Sequence, residues 1–186
     1  MDLVKLVDHA WNMKKQYGYE RTQEMFKNSL SYPYGEILNE YVTRCQNENK
    51  PSSTIIIYKV FENIIVHIMK CDDDFLQGEY DAYVKFAKYC GYRNFSADDI
   101  RNMSFDRNTL IRCINKLKSY RFVISEENYE SMIQGFCHLI FLGDNAIDEN
   151  EYYILRCFLD DAYDKYPSDW ESFKREWWFY EKQRNL

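Results

Sequence analysis

Apolar residues recur along this chain at spacings of three and four, broken at short polar points, and the pattern predicts a succession of helices. Leu3, Val4, Leu6, Val7, Ala10 and Trp11 mark a first helix that Gly18 stops, and a second covers roughly Glu20 to Leu30. SYPYG then breaks the pattern, so a third helix is expected over about Gly35 to Cys45. NENKPSS, with Pro51 and Ser52 or Ser53 placed to start a helix, is the clearest loop. The long apolar run from Thr54 to Met69 carries Lys59, Glu62, Asn63 and His67, which makes it a buried helix instead of a membrane span. Gly91 sits where a helix C-cap would be. Shorter helices are expected from Ser96, followed by early acids, and from Asp106, carrying Leu110, Ile111, Ile114 and Leu117. SEEN at Ser125 opens another, and Pro167 followed by Ser168 and Glu171 starts a last, aromatic-rich one.

Within this series one unit occurs twice, at residues 58–91 and 130–163, displaced by 72 positions. Each copy is an apolar helix, an acidic bend and a second apolar helix. Ile68, Asp72, Glu79, Tyr80 and Phe86 match Ile140, Asp144, Glu151, Tyr152 and Phe158, and Phe75 is answered by Ile147. A helical hairpin repeated in this way is expected to pack against its copy. The fold expected is therefore all-α: one domain over residues 1–186, a bundle of about eight or nine helices with pseudo-symmetric hairpins at 53–91 and 125–166.

Composition agrees with a helical body, since 17 Tyr, 12 Phe and 4 Trp stand against only 6 Gly and 3 Pro. A net charge of −6 disfavours general attraction to nucleic acid or anionic membrane. Six well-separated cysteines without a CxxC pair, and an acidic N-terminal segment unlike a signal peptide, fit a reducing cytoplasm.

Candidate chemistry centres on four carboxylates. If Asp72 and Asp144 end their first helices, they lie beside carbonyl oxygens that lack intrahelical partners, and Glu79 and Glu151 can fold back across the bend. Such an oxygen-rich pocket suits a hard divalent cation, Ca²⁺ or Mg²⁺. It is not an EF-hand: the sixth and twelfth residues from Asp72 are Gln77 and Tyr83, and from Asp144 they are Glu149 and Leu155. The competing reading makes the acids helix caps. Asp148 followed by Glu151 is an ordinary capping box, whereas the first copy has Leu76 at the cap position and still keeps Glu79. His9, His67 and His138 form no repeated ligand and are expected as satisfied core or boundary residues. Pairing Cys71 or Cys137 with a histidine as a nucleophile has no support in their spacing. Arg107, Arg112, Lys116, Lys118 and Arg121 form a modest basic stripe. Trp170, Phe173, Trp177, Trp178 and Tyr180 make the last helix apolar on more than one face.

The twofold pattern of apolar helix, Asp-x-x-hydrophobic-x-x-x-Glu and apolar helix resembles the TerB-like family, related to tellurite-resistance proteins, over about residues 55–165. That family commonly has Ala-Asp-Gly before the bend, where this chain has Cys71-Asp72-Asp73 and Gly143-Asp144-Asn145. The resemblance implies an all-α fold with pseudo-symmetric hairpins, a metal-responsive or complex-forming accessory role, and an acidic site carried by Asp72, Glu79, Asp144 and Glu151. The expected function is a non-enzymatic cytoplasmic binding module for stress response, with a protein partner or a second copy and neither nucleic acid nor membrane insertion. The alternatives are a pure interaction protein whose acids only cap helices and, less favoured, a metal-dependent hydrolase.

Overall fold

The computed structural model describes residues 3–71, 75–120, 123–142, 148–159 and 170–175. Among these the chain is all-α, without strands: α1 Leu3–Tyr17, α2 Tyr19–Asn28, α3 Ser31–Asn47, α4 Thr54–Ile68, α5 Gln77–Cys90, α6 Ala97–Asn102, α7 Arg107–Ser119, α8 Glu126–Ile140 and α9 Glu149–Leu159. Residues 170–175 are also helical.

The helix ends follow local chemistry. Ser96 accepts from the Asp99 N–H while the Asp99 carboxylate accepts from the Ser96 N–H, a complete capping box for α6. Asp106 caps α7 by accepting from the Asn108 N–H, and Ser125 caps α8 by accepting from the Asn128 N–H. Gly91 terminates α5 at φ 74°, a left-handed position that a side chain would strain. One boundary departs from the sequence expectation. SYPYG does not precede α3 but forms its beginning, with Pro33 the third helical residue. A proline is tolerated there because first-turn N–H groups have no intrahelical acceptor in any case.

Two helices occupy the centre. α4 lies against α3, α5, α7 and α8, and α8 lies against α1, α2, α3, α4, α5 and α9. The hairpins α4–α5 and α8–α9 do touch, but their main partners lie elsewhere: α4 packs chiefly on α7, α5 on α2 and α8 on α3. The hairpins thus pack against each other as expected, and the intervening helices cover the rest of their apolar faces. The intervening helices bring apolar stripes of their own, with Phe26 on α2, Tyr34 and Ile37 on α3, and Leu110, Ile114 and Leu117 on α7 all buried.

The direct link between hairpins is a chain of four phenylalanine rings. Phe86 stacks near Phe61 (centroids 5.9 Å apart), Phe61 meets Phe136 at 5.5 Å, and Phe136 stacks on Phe158 at 5.0 Å. Its outer members, Phe86 and Phe158, are equivalent in the repeat. No helix among the described residues is long and apolar enough to cross a membrane.

α8 crosses the α2–α3 joint at Gly135. A Cβ there would lie 2.9 Å from Leu30 Cδ2 and 3.0 Å from the Ser29 carbonyl oxygen. Gly135→Ala would gain about 1 kcal/mol of helix propensity, but overpacking against backbone costs roughly 1–3 kcal/mol. Urea unfolding is therefore expected to show a net loss of about 1 kcal/mol in place of the usual gain; a stabilised variant would mean that the joint yields.

Candidate functional site

The described residues that flank the two acidic bends meet each other. Asn150, second residue of α9, donates from Nδ2 to the Cys71 carbonyl at 3.0 Å, just beyond the end of α4. Gly78, second residue of α5, faces the end of α8: a Cβ on it would lie 3.3 Å from the Leu142 carbonyl oxygen. Positions 78 and 150 correspond in the repeat, so the contacts are reciprocal: the start of each second helix meets the end of the other hairpin's first helix. Glycine on one side permits close backbone approach, and an amide on the other satisfies a carbonyl left over at a helix end.

Glu79 and Glu151 come next, as third residues of α5 and α9, and both are buried. Glu151 completes the capping box read from the sequence: its Oε2 accepts from the Asp148 N–H at 2.9 Å, while Asp148 Oδ1 accepts from the Glu151 N–H at 2.7 Å. In the first copy Leu76 stands at the α5 N-cap and offers no side-chain cap. Asp72 and Asp144 lie outside the described residues, as do Arg121, Ser168, Trp177, Trp178 and Tyr180. Among the described residues no group of three or more His, Cys, Asp or Glu is arranged to hold a metal ion. Glu79 and Glu151 therefore do not complete a cation site with described groups alone. A positive charge already serves the second bend, where Lys14 Nζ donates to the Phe141 carbonyl at 2.6 Å beyond the end of α8.

The sequence reading missed two buried polar centres. The first is Glu62 on α4, which accepts four hydrogen bonds: from Tyr58 Oη at 2.6 Å, Tyr83 Oη at 2.8 Å, the Asn94 N–H at 3.3 Å and Asn94 Nδ2 at 2.5 Å. Tyr83 Oη in turn accepts from the Phe95 N–H at 3.0 Å. Burial, with Glu62 beside it, pushes the Tyr83 hydroxyl up to about 12, and it drives the Tyr58 hydroxyl upward in the same way. The network fastens the segment after Gly91 onto the first hairpin. Heptad spacing held a clue, since Glu62 falls between buried Tyr58 and Ile65 on one face.

The second is His138. It is buried, stacked 4.2 Å from Phe26 and 6.0 Å from His9, and neither ring nitrogen has a hydrogen-bond partner among the described residues. Burial, aided by His9, holds it down at about 3. This corrects the expectation of a satisfied core histidine. His67 does meet that expectation, with Nδ1 2.7 Å from the Asn63 carbonyl.

All six cysteines are free thiols. Burial pushes the Cys137 thiol up, opposite to what a nucleophile requires. In the basic stripe, Arg112 and Lys116 are exposed, while Lys118 donates to the Cys157 carbonyl at 3.3 Å. From the last helix, Trp170 and Phe173 pack on Tyr152 at 5.2 and 4.7 Å, covering that side of α9. Compared with family models, with curated proteins and with solved structures, the chain finds no match, and its geometry alone is left to suggest a role.

Proposed function

We propose that this chain is a non-enzymatic, cytoplasmic accessory module of TerB-like type, whose paired bends form a binding end for a divalent cation of the Ca²⁺ or Mg²⁺ class. The supporting observation is the reciprocal contact of Asn150 with the Cys71 carbonyl and of Gly78 with the Leu142 backbone. Two bends on opposite sides would make two weak sites. Bends that dock can share one ion, with Asp72, Glu79, Asp144 and Glu151 as its carboxylate oxygens. The ion would tie the hairpins together and present a changed surface to a protein partner or a second copy.

The test is thermal unfolding of chelator-treated protein with and without millimolar Ca²⁺, Mg²⁺ or Mn²⁺. A cation at 100 times its dissociation constant should add about 2.7 kcal/mol, roughly 5–10 °C for a domain of this size. The rise should vanish in Asp72→Ala combined with Glu79→Ala. No shift with any of the three ions would sink the cation reading. The second reading, a pure interaction module, is favoured by the Asp148–Glu151 capping box, which accounts for Glu151 without an ion.

A further inference from the structure

A cleft of about 250 Å³ opens between α7, α9 and Trp170, with Glu149 and Asn150 in its lining. Its apolar walls are Phe105, Tyr153 and Trp170, the last held by Tyr152 and by stacking on Phe173 at 5.9 Å. Two charges of opposite sign line it. Arg107 opens α7 and lays its guanidinium 3.9 Å over the Tyr153 ring. Guanidinium donors lie in the plane of the group, so stacking leaves them available at its edge. The neighbouring acid, Asp106, is committed to the Asn108 N–H and to Thr109 Oγ1. Glu149 opens α9, but the capping there is done by Asp148 and Glu151. Among the described residues neither Arg107 nor Glu149 has an ion-pair partner, and they do not pair with each other.

The geometry points to a binding site for a free aromatic α-amino acid. A zwitterion satisfies both charges at once, its carboxylate on the Arg107 edge and its ammonium on Glu149, while its ring fills the space between the aromatic walls. A ligand with a single charge would leave one of them without a partner. The volume lies just below the roughly 300–1,000 Å³ of drug-sized pockets, which suits one amino acid and not a peptide. This site is independent of any cation at the bends.

Calorimetric titration with three ligands sharing one ring tests the assignment: L-phenylalanine, 3-phenylpropionate without the ammonium, and 2-phenylethylamine without the carboxylate. L-Phenylalanine should bind saturably, the other two roughly tenfold or more weakly. Arg107→Gln should weaken L-phenylalanine and leave 2-phenylethylamine unchanged; Glu149→Gln should weaken L-phenylalanine and leave 3-phenylpropionate unchanged. Both side chains are exposed, and unchanged far-UV circular dichroism would verify the fold of each variant. No saturable binding of L-phenylalanine at millimolar concentration, equal binding of all three ligands, or indifference to both substitutions would overturn the proposal.

Discussion

Replacing Glu62 with alanine should cost the fold about 3–5 kcal/mol. The substitution removes the acceptor of four donors in one step, and the hydroxyls of Tyr58 and Tyr83 stay inside the protein, where each lost partner costs about 1–3 kcal/mol. A cavity adds to this, because the neighbouring rings are fully buried and can collapse only in part. Urea unfolding measures the loss directly, and the thermal midpoint should fall by roughly 10 °C. In a background of Tyr58→Phe and Tyr83→Phe, two of the orphaned donors are already gone, so Glu62→Ala should cost less there. A loss below about 1 kcal/mol in the parent protein would mean that water replaces the carboxylate at little penalty.

The second large effect is a loss of stability in acid traceable to one imidazole. The folded value of His138 is about 3 against an ordinary 6.5, so as pH falls through 6.5 the unfolded chain binds a proton that the folded chain refuses. Stability is fully present above that value and declines by about 1.4 kcal/mol per pH unit down to about pH 3. The exposed carboxylates held low by their partners, among them Asp99 by Ser96 and Asp106 by Thr109, weaken the fold only at lower pH than the onset for His138. His138→Phe retains a ring against Phe26 and has nothing to titrate. Unfolding free energies measured from pH 7.5 to 4.5 should therefore fall steeply in the parent protein and stay much flatter in the variant, with no loss at pH 7. Parallel curves would show that His138 is reached by water in the folded state.

What could be read from the sequence was set by range. The caps at Ser96, Asp106, Ser125 and Asp148 each lie within three residues of their partners, so the local string contains the whole interaction. The α4 core and the equivalence of the bends were legible because periodicity and repetition survive without knowledge of the partner. Glu62 looked like an interruption because Tyr83 and Asn94 follow it by 21 and 32 positions. His138 looked ordinary because the ring that covers it comes from Phe26, far up the chain. SYPYG misled for another reason: Pro33 and Gly35 signal a break by composition, but a first helical turn places few demands on the N–H that proline lacks. The cleft was split in the same way, with Arg107 read as part of a basic stripe and Trp170 as part of an apolar helix.

The contact between Asn150 and the Cys71 carbonyl also sets an order of events during synthesis. The first hairpin is complete once Gly91 has left the ribosome, and α7, which covers α4, follows within thirty residues. The Cys71 carbonyl, however, waits for Asn150, 79 positions behind it. At ordinary elongation rates that interval lasts on the order of ten seconds. For most of that time the chain also lacks α8, one of the two central helices, so the second hairpin arrives as a missing wedge of the core and closes the end of the first hairpin in the same step.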